Sequence, residues 1–300
     1  QQHNVTSYGA TTEAIITLEA FAGMWINAFI ICVLCTGWVQ KKTLNSNEKI
    51  LLLLGCSRIC SLCISWAYSF LSKVYPKYFH VHPVLQLAVF LQAFFNHCNL
   101  WFSACLCVFY CIKIANFRNR FFIYLKVKID RVVPWLLLVS GGLALAIGII
   151  AYDIADKPHG NNHTYARPGN FGKPNIKMDK HFFPSFFLTG FAYAASFLAV
   201  ILSAVFLLFS LWRHKRKMQT KSMKNLSMDA HIKAMKSIFS FLVMYSINFI
   251  CLVLKMVYVT KKRSHMTFLI VVFEYTFSGL HSLILIFSNP RLEKTLLKIL

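Results

Sequence analysis

Seven long apolar stretches constrain the fold of this chain more than any other feature. A helix needs about 20 mostly apolar residues to cross the hydrocarbon core of a bilayer, and each stretch reaches that length. Hydrophobic residues make up 57% of the 300 residues and charged residues only 14%, a composition outside the range of soluble domains. We therefore predict a single all-α domain over residues 1–300, a seven-transmembrane helix bundle with spans at 14–39, 50–71, 84–112, 132–152, 182–212, 237–259 and 266–288.

The basic residues indicate how this bundle lies in the lipid bilayer. The connections after spans one, three and five, together with the C-terminal tail, hold 20 of the 32 Lys and Arg residues, and the opposite side holds 10. The positive-inside rule then predicts an outer N-terminus and a cytoplasmic C-terminus, in a multi-pass protein of the plasma membrane. The formal net charge of +22 lies in short connections, so we expect contact with anionic lipid and no nucleic acid.

Two sequons fall on the predicted outer side, where N-glycosylation takes place. Asn4 begins Asn-Val-Thr in the N-terminal tail, and Asn162 begins Asn-His-Thr in the second outer loop. Both are predicted glycosylation sites. All ten cysteines fall within the spans, which predicts no disulfide between outer loops and no metal site.

One face of the third span is polar along its whole length. Gln92, Asn96, Asn99, Ser103 and Tyr110 are spaced so that they share one stripe of a helix. Polar side chains are expensive to expose to lipid, so this stripe faces other helices or a wet cavity. We expect span three to be the central helix of a receptor.

Charged residues inside the spans require partners. Arg58 lies roughly 13 Å from the inner end of span two, too deep for its head group to reach water easily. Asn27 of span one and the polar end of span seven, with Ser282, are the expected partners. Arg58 either ties the helices together or takes part in switching. Lys255 and Glu274 form a second hypothetical pair, across spans six and seven.

Enzyme chemistry has little support in the sequence. There is no plausible Ser-His-Asp set, no HExxH, no phosphate-binding glycine loop and no pair of buried carboxylates on facing helices. No cofactor is predicted, and span seven has no lysine for a retinal Schiff base. A transporter would be expected to show paired broken helices or an internal repeat, and neither is evident. The remaining interpretation is a small-molecule receptor that moves its helices to engage a cytosolic partner.

The residues also resemble a known family. The stretch Phe-Tyr-Cys-Ile-Lys-Ile-Ala-Asn-Phe at 109–117 is similar to that typical of vertebrate bitter taste receptors (taste receptor type 2), which are seven-helix G-protein-coupled receptors. Further matches occur in order along nearly the whole chain: Glu19, Gly23, Asn27, Trp38, Ser57, Arg58, Leu207, Ser210, Leu211, His214, Met218, His231, Ala234, Lys236, His281, Ser282 and Asn289. The resemblance implies a small bitter agonist and a heterotrimeric G protein of the gustducin type as partners.

The resemblance also implies three groups of site residues. The agonist pocket in the outer half would use Gln92, Phe95, Asn96, Phe191, Tyr193, Asn248, Val271 and Glu274. The inner face that receives the G protein would use Tyr110, Lys113, His214, Lys217, Lys236 and His281. The helix network that switches between states would use Asn27, Arg58 and Ser282. Gln92 replaces a tryptophan that is frequent in the family, so the pocket should be unusually polar.

Two alternatives stay open at this point. A vomeronasal type 1 pheromone receptor would share the seven spans, although His214 and the His281-Ser282 pair favour the taste receptor. A seven-helix transporter or channel belongs to another class, and flux or current without a G protein would identify it.

Overall fold

The computed structural model describes residues 2–75, 83–115, 120–156, 182–219, 225–258 and 264–299, without the side chains of some residues at helix ends. These residues form eight helices and no strand. The helices are α1 (Gln2–Lys41), α2 (Ser46–Val74), α3 (Val84–Ile114), α4 (Arg120–Asp156), α5 (Phe182–Gln219), α6 (Asn225–Tyr258), α7 (Ser264–Ser288) and α8 (Pro290–Ile299).

Among the described residues, six helices have an apolar part long enough to cross a membrane. These parts are Glu13–Lys41, Ser46–Ser72, Val84–Ile114, Phe122–Ala155, Phe187–Arg213 and Leu269–Ser288. Within the described residues the apolar part of α6 is shorter, Ile238–Leu254. The prediction of an all-helical membrane bundle is therefore confirmed.

Several helices extend well beyond the predicted spans. The connection predicted at 113–131 is mostly helical, because α4 begins at Arg120 rather than near residue 132. The added turns are amphipathic: Ile129 is buried in the core, whereas Lys126 and Lys128 are exposed. Long basic side chains can cover apolar surface while their charged ends stay in water. The basic composition of residues 113–131 therefore favoured a prediction of a connection, although the part from Arg120 onward is helical.

The third helix occupies the centre of the bundle, as the polar stripe predicted. It packs against α2, α4 and α5, and it is the most buried of the six candidate spans. On one side of it, α1 packs against α2 and α7, and on the other α6 packs between α5 and α7. The stripe on α3 therefore faces neighbouring helices.

A close approach of two glycines brings α1 and α7 together. A Cβ atom on Gly23 would lie 3.9 Å from the backbone nitrogen of Gly279, and a Cβ atom on Gly279 would lie 3.7 Å from Cα of Gly23. Small residues at a helix contact allow the two backbones to approach. This contact brings polar side chains of α1 and α7 within hydrogen-bonding distance, as described below.

The short helix α8 was not predicted. It is amphipathic: Leu292 is fully buried in the core formed by α1, α2, α3, α4 and α7, while Lys294 and Lys298 are exposed. Arg291 Nη1 forms an ion pair with Glu48 Oε1 of α2 at 2.7 Å. Pro290 at the first helical position is a common start signal that the sequence contains.

Candidate functional site

A cavity of about 340 Å³ opens among α2, α3, α6 and α7, with Tyr193 contributed by α5. It lies toward the start of α3, the end of the bundle that the basic residues predict to be outside, which is called the outer end below. Six of the eight predicted ligand contacts line this cavity: Gln92, Asn96, Tyr193, Asn248, Val271 and Glu274. Residues far apart in sequence, which the family resemblance implied on four helices, thus line one shared space.

The α2 side of the cavity is a row of serines. Ser61 Oγ donates to Asn96 Oδ1 at 2.5 Å, and Gln92 Nε2 donates to Ser65 Oγ at 3.5 Å. Ser69 continues the row and also lines the cavity. Sequence reasoning missed these residues, although their spacing of four places them on one helical face. A wall of hydroxyl and amide groups can hydrogen-bond polar groups of a bound molecule.

The predicted pairing of Lys255 with Glu274 is not tested. Glu274 lines the cavity, whereas the side chain of Lys255 lies outside the part of the chain that the structure describes. The pairing stays a prediction.

Two predicted ligand contacts do not belong to this cavity. Phe191 is 64% exposed on the outer surface of the bundle, and Phe95 packs its ring against Phe94, with centroids 4.9 Å apart. Successive helical residues are rotated by about 100°, so residue 191 points away from the direction of Tyr193. Helical periodicity does not indicate which face of α5 turns inward. Neither Phe95 nor Phe191 lines the cavity.

Directly below the cavity, Arg58 is completely buried. Its Nε donates to Asn99 Oδ1 at 3.1 Å, and its Nη1 donates to Ser282 Oγ at 2.6 Å. Its Nη2 contacts Ser103 Oγ at 3.4 Å and also His281 Nδ1. In the described part of the chain, these hydrogen-bond partners are amide, hydroxyl and imidazole groups. Hydrogen bonds to a charged group are stronger than neutral ones, so they compensate part of the cost of burying this charge.

The network continues to α1. Ser282 Oγ donates to Asn27 Oδ1 at 2.7 Å, and Asn27 Nδ2 donates to the carbonyl oxygen of Gly23 at 2.7 Å. The three residues that the sequence grouped as a switch, Asn27, Arg58 and Ser282, therefore lie together. With Asn99, Ser103 and His281 they form the Arg58 network, which joins α1, α2, α3 and α7.

The cavity and the Arg58 network share residues. Asn99 and Ser103 line the cavity and also bond to Arg58. Ser278, which lines the cavity, has its carbonyl 2.9 Å from Ser282 Oγ. A molecule at the bottom of the cavity would therefore lie against groups that hold the buried arginine.

The structure does not place His281 on an open inner face. His281 is completely buried and contacts Arg58. The rings of Phe241 on α6 and Phe277 on α7 cover it, with centroids 4.5 Å and 5.5 Å from the imidazole. Because the buried arginine requires polar partners, His281 is drawn into the network instead of facing the cytosolic side.

Two other residues predicted to contact a G protein lie at the opposite, inner end of the bundle. Tyr110 is partly buried against the core formed by α3, α5 and α6. Lys113 Nζ forms an ion pair with Asp130 Oδ2 at 2.6 Å, and both side chains are about half exposed. The side chains of the remaining G-protein candidates, His214, Lys217 and Lys236, lie outside the part of the chain that the structure describes. The same holds for the side chains of the sequon residues Asn4 and Asn162.

Comparison with known proteins identifies the family. The family described as Taste receptor protein (TAS2R) matches residues 7–300. The chain belongs to the taste receptor type 2 family. Taste receptor type 2 member 7 of Macaca mulatta is 30% identical over 298 residues, which cover 97% of this chain and 92% of that protein. Taste receptor type 2 member 2 of Homo sapiens is 28% identical over 288 residues, which cover 95% and 94% of the two chains.

Membership in the taste receptor type 2 family confirms the resemblance found in the sequence. The chain is a bitter taste receptor of the G-protein-coupled class and not an enzyme. It is a multi-pass membrane protein whose family has small-molecule ligands and couples to G proteins. The match over nearly the whole chain decides against the pheromone receptor and the transporter.

Proposed function

We propose that the cavity at the outer end is the agonist site and that the Arg58 network transmits its occupancy to the inner end. The observation that carries this proposal is the shared pair Asn99 and Ser103, which line the cavity and bond to Arg58. A ligand that favours one arrangement of these two side chains would shift the helices that the network joins. Such a shift is limited by the difference in the ligand's affinity for the two states.

The lining suggests the class of agonist. The amide groups of Gln92, Asn96 and Asn248 lie beside the apolar side chains of Val271 and Leu252. A bitter or otherwise xenobiotic molecule that is mostly apolar and carries one or two polar groups matches this mixture. Its volume is limited by a cavity of about 340 Å³, at the small end of typical ligand sites.

The moving element in this mechanism is α6. Phe241 of α6 packs its ring on His281 of the network. Tyr245 packs on Phe277 of α7 and donates a long hydrogen bond to the carbonyl of Leu100 of α3 at 3.5 Å. The network itself is held by bonds among α1, α2, α3 and α7. Ring contacts have weaker directional preferences than hydrogen bonds to a charge, so α6 can shift without breaking the Arg58 bonds.

The partner at the inner end would be the alpha subunit of a gustducin-type heterotrimeric G protein. Tyr110 and Lys113 would contact it, together with His214, Lys217 and Lys236. This arrangement requires seven membrane crossings, an outer N-terminus and a cytoplasmic C-terminus at the plasma membrane, as the 20-to-10 distribution of basic residues supports. The sequons at Asn4 and Asn162 would then be accessible to glycosylation.

Calcium release in cells that co-express this chain with a gustducin-type chimeric G protein tests the proposal. We expect some members of a panel of bitter compounds to evoke a response that weakens in Asn96→Ala at equal surface expression. Phe191→Ala is the matched control because Phe191 lies outside the cavity. Silence across the panel despite surface expression, or equal effects of both substitutions, would contradict the assignment.

A further inference from the structure

A second cleft lies behind the agonist cavity, among α3, α4 and α5. It has a volume of about 260 Å³. Gln92, Asn96 and Tyr193 separate it from the first cavity, because these residues line both spaces. Its remaining wall is mostly apolar and comes from Ile147, Ile150 and Ala151 of α4 and from Leu188 and Thr189 of α5, among others.

One polar side chain in this cleft is unexplained by the agonist site. His97 lines the cleft and is only 3% exposed. Its Nδ1 lies 2.8 Å from the carbonyl oxygen of Ala93, and its ring stacks on Tyr193 with centroids 5.4 Å apart. A carbonyl oxygen only accepts, so Nδ1 carries the proton of the neutral ring and Nε2 is an acceptor.

The acceptor of His97 has no partner. Nε2 is buried and makes no hydrogen bond within the described residues. A buried polar atom without a partner costs on the order of 1–3 kcal/mol, so such atoms are usually paired by protein, water or ligand. The cleft beside it has room for more than one water, whose share of liquid volume is roughly 30 Å³. A water or a ligand that donates one hydrogen bond would therefore satisfy His97 Nε2.

The position of the cleft indicates where such a ligand comes from. Helices α4 and α5 touch each other at only a few points, whereas α3 and α4 pack along their length. Leu188 in the wall is partly exposed, and Ile149 and Phe187 beside the cleft are strongly exposed on the outside of the bundle. In a bilayer, exposed apolar side chains at this depth face acyl chains, so the gap between α4 and α5 opens toward lipid.

We propose that this cleft is a second binding site, for a small neutral apolar molecule that carries one hydroxyl group and enters from the bilayer. The hydroxyl donates to His97 Nε2, and the apolar part packs against Ile147, Ile150 and Leu188. Burial of the apolar part supplies most of the affinity, and the single polar contact fixes its orientation. Because both sites share Gln92, Asn96 and Tyr193, an occupant of the cleft changes the affinity of the agonist cavity. The binding itself does not rest on the proposed function, whereas this effect on agonist affinity does.

Photolabelling of the purified receptor in lipid nanodiscs tests the site. The probe is an octanol with a diazirine on its chain, and the control probe is the same diazirine hydrocarbon without the hydroxyl. We expect the alcohol to label residues of α4 and α5 at the cleft about three- to tenfold more than the hydrocarbon does, as one hydrogen bond would give. His97→Phe keeps the ring on Tyr193 but removes the acceptor, and it should abolish this preference.

Two substitutions that fill the cleft separate the site from general lipid labelling. Ala151→Phe on α4 and Thr189→Trp on α5 should each remove the label, whereas Ile149→Phe on the lipid-facing side of α4 should keep it. The proposal is overturned if the alcohol and the hydrocarbon label equally, if His97→Phe keeps the preference, or if Ala151→Phe and Ile149→Phe label alike.

The calcium response of the same variants distinguishes the two proposals. Labelling at the cleft without any response to bitter compounds supports the cleft and contradicts the proposed function. A response without labelling at the cleft overturns the cleft and leaves the agonist cavity standing.

Discussion

The outer cavity and the Arg58 network both use amide and hydroxyl side chains, on neighbouring turns of α2, α3 and α7. In the cavity, Gln92 and Asn96 of α3 each contact one serine of α2 and border open space. One turn further along α3, Asn99 and Ser103 bond to a buried charge. The difference lies in what faces the stripe: a short hydroxyl side chain leaves room for a ligand, whereas an arginine fills that room and ties the helices.

This comparison explains why one stripe on α3 can serve two purposes. Hydrogen bonds to a charged group contribute roughly twice as much as those between neutral groups. Removing part of the Arg58 network should therefore change the stability of the whole bundle. Removing a cavity residue should change ligand affinity with little effect on folding.

Replacement of the buried arginine should have the largest effect. Arg58→Leu leaves Asn99, Ser103 and Ser282 without their charged partner, and we expect a loss of about 1–3 kcal/mol in the free energy of unfolding for each buried polar group that stays unpaired. Thermal unfolding of the purified receptor and its level at the cell surface measure this loss. Arg131→Leu on the exposed side of α4 is the control, and equal melting temperatures of the two variants would contradict the role of the network.

A bulky residue at the α1–α7 contact should have the next largest effect on stability. A Cβ atom at Gly23 would lie 2.9 Å from Cδ1 of Leu62 on α2 and 3.9 Å from the backbone nitrogen of Gly279 on α7, so the larger valine of Gly23→Val overpacks this site, at a cost of about 1–3 kcal/mol. We therefore expect a lower melting temperature. Gly142→Val is the matched control on α4, where a Cβ atom would meet nothing within 4 Å. Equal melting temperatures of Gly23→Val and Gly142→Val would contradict the role of the glycine contact between α1 and α7.

A cavity substitution should change potency and leave stability alone. Asn248→Leu removes one polar contact on α6, and we expect about a tenfold rise in the agonist concentration for half-maximal calcium release, or roughly 1.4 kcal/mol. Ile250→Leu, on the lipid-facing side of the same helix, should respond like the wild type. A fall in the melting temperature of Asn248→Leu as large as that of Arg58→Leu would remove the distinction between cavity and network.

The exposed ion pair at the inner end should have the smallest effect on stability. Lys113 and Asp130 are about half exposed, and a double-mutant cycle with alanine should give a coupling below about 1 kcal/mol. Under the proposed function, Lys113→Ala lowers G-protein activation whereas Asp130→Ala does not. Equal G-protein activation by the two alanine variants would contradict a contact between Lys113 and the G protein.

The packing of side chains could be predicted from the sequence where an unpaired buried group would cost too much free energy. A charge buried as deeply as Arg58 needs polar partners, and Asn27 and Ser282 were among the few at the same depth. The stripe on α3 could be predicted because helical spacing alone places its members on one face.

Features that depend on the rotation of one helix against another could not be predicted. Periodicity relates residues within α5, but it does not say whether Phe191 or Tyr193 turns inward. The burial of His281 follows from where Arg58 extends its guanidinium, and the cleft at His97 follows from a gap between α4 and α5. Helix α8 was missed because its basic residues were counted only as a topology signal.

The most direct test compares Asn96→Ala with Ser282→Ala in concentration–response curves at equal surface expression. Asn96 lines the cavity, whereas Ser282 is completely buried in the network. The account predicts that Asn96→Ala shifts the curve to higher agonist concentrations with its maximum preserved. Ser282→Ala should change the basal signal and the maximum, because it alters the balance between the two states. A wild-type curve for Ser282→Ala, or a reduced maximum without a potency shift for Asn96→Ala, would contradict the link between cavity and network.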